Sequence, residues 1–123
     1  MRVLLSIKPE YANKIFDKTK KYEFRRSIFK NPSVKTVVVY ASSPVQKVIG
    51  EFDIDRIICD DLQELWNKTK KYSGISEKYF FDYFASKEKG FAIKIRMTRR
   101  YEEELDLMDA YSIQPPQSFA YIE

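Results

Sequence analysis

A single small α+β domain is the fold class that this chain predicts, and three observations predict it. One core serves about 100–150 residues, so 123 residues make one domain, taken here as residues 1–123. Apolar residues switch between strand and helix period in the order β-α-β-β-β-α-α-β-β. Consecutive strands in the middle of the chain do not suit a doubly wound parallel sheet. Long, mostly sequential strands can instead curl into a barrel capped by helices. With 44% hydrophobic residues, 9 Phe, 9 Tyr and 1 Trp, the chain can fill a core.

Each element has its own local cause. Val3-Leu4-Leu5-Ser6-Ile7 is a run of branched apolar residues and reads as a buried first strand. Pro9, with Glu10 beside it, opens a helix to about Asp17, whose Tyr11, Ala12, Ile15 and Phe16 share one face. Tyr22 and Phe24 then alternate with Glu23 and Arg25, as a strand requires. After the turn at Asn31-Pro32-Ser33, residues 34–40 read as a further buried strand, ended by Ser42-Ser43-Pro44. Residues 46–58 alternate Phe52, Ile54 and Arg56 against Glu51, Asp53 and Asp55, with Gly50 marking a bulge or a close backbone approach. Asp61 and Glu64 have capping-box spacing ahead of Leu62, Leu65, Trp66 and Thr69. From Ser76 a second helix carries Tyr79, Phe80, Tyr83 and Phe84 as an aromatic stripe, which the spacing assigns to core packing. Residues 91–97 alternate as a strand, Glu102-Glu103-Glu104 reads as a solvated strand end or loop, and a short strand closes the chain through Tyr121 and Ile122.

Composition excludes several chemistries. Without histidine there is no Ser-His or Cys-His catalysis and no imidazole zinc site, and the one cysteine, Cys59, forms no internal disulfide. No cofactor and no metal are expected. No run approaches the ~20 apolar residues that a membrane span needs, and a cytoplasmic location without membrane partners is the expectation. Residues 1–50 hold 11 Lys/Arg against 3 Asp/Glu, a net +8, while residues 51–123 hold 11 against 15. A basic half favours phosphate-rich partners.

The densest charge lies between Lys18 and Arg26, with five basic residues and one acid in nine positions. On a strand, Glu23 and Arg25 project to one side about 7 Å apart, so they can pair or share a ligand. Tyr22 and Tyr40 are candidates for stacking on a base. Glu51, Asp53 and Asp55 share a strand face, a solvated surface before it is an ion site. Trp66 reads as a core anchor and Cys59 as a small buried hydrophobe.

Ser6-Ile7-Lys8-Pro9-Glu10-Tyr11, the helix behind it and Lys18-Thr19-Lys20-Lys21-Tyr22-Glu23-Phe24-Arg25 together resemble the signature region of the ASCH family, a branch of the PUA-like superfamily. That signature is G-x-K-x-x-E-x-R. Lys20, Glu23 and Arg25 stand at its K, E and R positions, and Lys18 replaces its glycine. A lysine at positive φ there would be strained by roughly 1 kcal/mol. The resemblance extends to Tyr40-Ala41-Ser42-Ser43-Pro44-Val45, the Gly50–Asp55 strand and the Pro116-Gln117-Ser118 turn. It implies a PUA-like β-barrel with flanking helices and a cleft beside the first helix that receives RNA or a nucleoside. Lys20, Glu23 and Arg25 would form the site, with Lys8, Tyr40, Ser42, Gln117 and Ser118 as neighbours. RNA or nucleotide binding is the main expectation. The alternatives are hydrolysis of a modified, acyl-cytidine type nucleoside or RNA cleavage, with Lys20 and Glu23 catalytic, and a protein-interaction module in transcription-associated regulation. The related acyl-cytidine hydrolases use a threonine where this chain has Glu23, so their nucleophile does not transfer.

Overall fold

The computed structural model describes all residues, Met1–Glu123. It consists of β1 (Arg2–Ile7), α1 (Pro9–Phe16), β2 (Tyr22–Arg25), β3 (Thr36–Ala41), β4 (Lys47–Asp61), α2 (Leu62–Thr69), α3 (Glu77–Tyr83), β5 (Lys89–Leu105), α4 (Leu107–Tyr111) and β6 (Phe119–Ile122). A short 3-10 turn, Lys70–Tyr72, extends α2.

Six strands form one mixed sheet in the order β2-β5-β4-β3-β1-β6. β1 and β3 run parallel, linked by the α1–β2 crossover, and every other pair is antiparallel. The class is α+β as expected, but the barrel is not formed. The edge strands β2 and β6 have four residues each and do not pair with one another. What joins the two edges is a side chain: Arg25 on β2 donates from Nη2 to the Ser118 carbonyl at 2.7 Å and from Nη1 to the Ser6 carbonyl at 3.4 Å.

The apolar runs of β1 and β3 are buried on both faces, which explains why they lack alternation. Val3, Leu5, Val37 and Val39 pack under Ala12 and Ile15 of α1, while Leu4, Val38 and Tyr40 face a second cluster closed by Leu107 and Ile122. A third, aromatic cluster joins Phe24, Leu65, Trp66, Phe80 and Phe84 beneath α2 and α3. Trp66 is a core anchor, as its spacing indicated.

Gly50 has the close approach expected of it. A Cβ there would lie 2.6 Å from the Phe16 ring and 2.7 Å from the Arg99 carbonyl, beside a register shift between β4 and β5. β5 runs eight residues beyond Met97 because its exposed half is tied to β4: Arg99 donates to both Glu51 and Asp53, and Tyr101 donates to Glu51 at 2.7 Å. The acidic triplet therefore lies within a strand. Cys59 is exposed rather than buried, since it sits in the part of β4 that projects past the core. The helix α4 went unread in the sequence, although Asp106 caps it by accepting from the Asp109 amide at 3.0 Å.

Candidate functional site

The first helix delivers the site. α1 ends in a Schellman turn: the Thr19 amide donates to the Lys14 carbonyl at 3.0 Å and the Lys18 amide to that of Ile15 at 3.2 Å. Lys18, at the turn's left-handed position, has φ 71°, so lysine adopts there the conformation that the signature glycine serves. Asp17 braces the turn by accepting from the Thr19 amide and hydroxyl. The chain then reverses, and Lys20 enters the interior before β2 begins.

Lys20 is 3% exposed. Its Nζ donates to the Ser73 carbonyl at 2.6 Å and lies 4.8 Å from the Phe24 ring centre and 5.5 Å from that of Tyr11. Burial lowers its pKa from 10.5 to about 8; Glu23 opposes this shift and Lys14 assists it. The loop that supplies the carbonyl is shaped for this contact. Gly74 has φ +70° and passes so near that a Cβ would lie 2.6 Å from the Lys20 Cβ. Lys14 grips the same loop through the Gly74 carbonyl at 3.0 Å.

On β2, Glu23 and Arg25 project to one side as the alternation required, and Arg25 Nη1 donates to Glu23 Oε2 at 3.1 Å. The pair is largely buried, where a charge-assisted bond is stronger than at the surface. Phe24 points the other way, into the aromatic cluster.

Lys20, Glu23 and Arg25 open onto one cavity of ≈ 320 Å³, together with Lys8, Tyr11, Tyr79, Tyr83 and Gln117. Tyr83 donates its hydroxyl to the Phe24 carbonyl at 3.2 Å, and burial raises its pKa. Burial also pushes Tyr11 up to about 12, aided by the neighbouring Tyr79. Lys8 Nζ lies 5.7 Å from the Tyr79 ring centre, and Arg26 sits 4.9 Å from that of Tyr83.

Of the remaining sequence candidates, Ser118 contributes only its carbonyl, to Arg25. Tyr40 lies on the opposite face of β3, in the core beside Leu107, and borders a different hollow. Ser42 is outside the cavity; its amide donates to the Ile7 carbonyl at 3.0 Å. Tyr22 packs against the aromatic cluster. Glu51 and Asp53 are engaged by Arg99 rather than left open to an ion. Tyr11, Tyr79, Tyr83 and Ser73 were not singled out as site residues. For α3 the stripe divides: Phe80 and Phe84 are fully buried, while Tyr79 and Tyr83 line the cavity. The signal was the choice of tyrosine over phenylalanine at positions 79 and 83. No helix of the protein is long and apolar enough to cross a membrane.

Comparison with known proteins identifies the family. The chain is 31% identical over 122 residues to a protein of Zymomonas mobilis named ASCH domain-containing ribonuclease, covering 97% of this chain and 82% of that one. A crystal structure of ASCH from Zymomonas mobilis superposes with a TM-score of 0.91 at 30% identity, covering 99% of this chain and 87% of that chain. The chain is also 34% identical over 122 residues to ATP synthase subunit alpha of Ureaplasma parvum, with 98% of this chain matched to only 15% of that protein's length. The ASCH domain model matches residues 5–116, and the chain belongs to the ASCH domain family, part of the PUA-like superfamily.

Proposed function

We propose that the cavity binds single-stranded RNA and cleaves it, with Lys20, Glu23 and Arg25 carrying the chemistry. The observation behind this reading is one cavity that joins a buried lysine of pKa about 8 to a carboxylate held by an arginine. The Zymomonas mobilis relative named a ribonuclease supports cleavage over binding alone. A cytoplasmic setting belongs to the same proposal.

RNA carries its own nucleophile, the ribose 2′-hydroxyl. Glu23 Oε2 is occupied by Arg25, so Oε1 takes the 2′-hydroxyl proton as that oxygen bonds to phosphorus. The bond from phosphorus to the 5′-oxygen breaks, and the leaving oxygen receives a proton from the Lys20 ammonium. The products are a 2′,3′-cyclic phosphate and a 5′-hydroxyl end, and water exchange returns the proton from Glu23 to Lys20. Arg25 and the ammonium offset the charge that grows on phosphate, a contribution worth about 10²–10³ in rate per donor. Lys8 and Gln117 contact the strand as it enters.

The test compares a short single-stranded RNA and an acylated cytidine as substrates for the wild type and for Lys20→Ala. RNA cleavage with cyclic phosphate ends, reduced at least 100-fold in the variant, is expected. Turnover of the cytidine alone would overturn the reading, as would RNA cleavage that survives in Lys20→Ala. With the lysine acting as the acid, the wild-type rate falls as pH rises through about 8.

A further inference from the structure

With the cavity taken to hold RNA, as proposed above, we infer that Tyr79 and Tyr83 form a stacking subsite for one unpaired nucleobase, flanked by Lys8 and Arg26 as phosphate contacts. The two tyrosines stand four residues apart on α3 and so share one face of it. Their ring planes differ by 7° and their centres lie 6.4 Å apart, which gives an aromatic wall of one orientation.

Core packing accounts fully for the other half of the stripe, and Tyr83 packs against the same cluster while also lining the cavity. Phe80 and Phe84 are fully buried and meet Phe24 edge to face, whereas Tyr79 and Tyr83 remain partly exposed on the cavity wall. Both rings are held before any ligand arrives. Tyr83 is tied through its hydroxyl to the Phe24 carbonyl, and Tyr79 packs against Tyr11, whose ring centre is 5.4 Å away. A base that stacks on them therefore costs little side-chain entropy.

The flanking cations complete the chemistry of a nucleotide. Lys8 and Arg26 are exposed, lie over Tyr79 and Tyr83 respectively, and make no ion pair with a carboxylate. Their charge is available to phosphate. Tyr11 spans the distance from this wall to the buried lysine, with Lys20 Nζ 5.5 Å from its ring centre. One nucleotide thus reaches both places, its base against α3 and its phosphate toward Lys20. A cavity of ≈ 320 Å³ is at the small end of ligand pockets, with room for one nucleotide and not for a duplex.

The experiment uses the full chain and two dye-labelled hexamers: an uncleavable 2′-O-methyl RNA, and the same sugar-phosphate backbone without bases. Fluorescence anisotropy measures both affinities. The wild type should prefer the base-bearing hexamer by about 10- to 100-fold, the worth of one stacked base. Tyr79→Leu with Tyr83→Leu should reduce that preference to near unity and leave the abasic affinity unchanged, while Tyr79→Phe with Tyr83→Phe, which keeps both rings and loses the Tyr83 tether, should retain most of it. Preference that persists in the leucine variant would overturn the subsite, as would equal loss for both hexamers or a phenylalanine variant that behaves like leucine. A wild type that cleaves RNA through Lys20 yet ignores the bases removes the subsite alone. A wild type that neither binds nor cleaves RNA removes the underlying reading as well.

Discussion

Lys20 shows how one residue can oppose stability while equipping a site. The fall of its pKa from 10.5 to about 8 corresponds to about 3 kcal/mol of cost for carrying the proton inside the fold. The sign follows from proton counting. Between pH 8 and 10.5 the unfolded chain holds more protons than the folded one, so this contribution makes stability rise with pH across that window. Below it the cost is fully present. Lys20→Met removes the charge and keeps the stem's volume, and should stabilise the protein by about 2 kcal/mol at pH 7 while abolishing the pH-dependent rise. Urea unfolding at pH 7 and pH 10 checks both, and a methionine variant less stable than the wild type would contradict the assignment. Gly74 belongs to the same account. Gly74→Ala meets both a positive φ and the Lys20 stem at 2.6 Å, so the variant should lose at least 10-fold in RNA cleavage and shift the alkaline limb of its pH profile. Near wild-type behaviour on both measures would show that the loop does not position the lysine. Neither Ser73 nor Gly74 was legible in the sequence, because each acts through backbone: one through a carbonyl, the other through the lack of a Cβ.

At the scale of elements, the turn between α1 and β2 decides where the lysine goes. Lys18 holds a left-handed conformation that costs a side-chain-bearing residue about 1 kcal/mol. Lys18→Gly should recover most of this and raise the melting temperature by about 3 °C. Calorimetry checks it, and a fall in melting temperature would mean that the Schellman turn draws stability from the lysine itself. The signature lysine, glutamate and arginine were legible because strand alternation places Glu23 beside Arg25 and because the resemblance names Lys20, which strict alternation would have turned away from them. It lies before β2, where period two does not apply. Helix α3 was legible as a helix but not as a wall, since its spacing alone does not separate Tyr79 and Tyr83 from Phe80 and Phe84.

For the whole molecule, the sequence announced an α+β domain and most of its elements, and it misled on closure. Strand patterns reveal periodicity within a segment but not which edges meet. Here the edges meet through Arg25, and the cavity opens at that junction. Arg25→Lys keeps a charge but not the fork that reaches Glu23, Ser6 and Ser118, so it should lower both stability, by about 1–2 kcal/mol, and RNA cleavage. Loss of neither would mean that the edges are held together by other contacts. Four of the eleven basic residues of the first 50 positions, Lys8, Lys20, Arg25 and Arg26, line this cavity. Tyr40 lies away from the cavity because β3 turns it to the other side of the sheet, and Ser42 lies past the end of that strand with its amide bound to the Ile7 carbonyl.

The most direct measurement is the titration of the Lys20 ammonium by NMR, with and without a saturating uncleavable RNA. The free protein should titrate at about 8, and bound phosphate should move the midpoint upward by favouring the charged form. A midpoint near 10.5 in the free protein, or one that RNA leaves unchanged, would contradict the account.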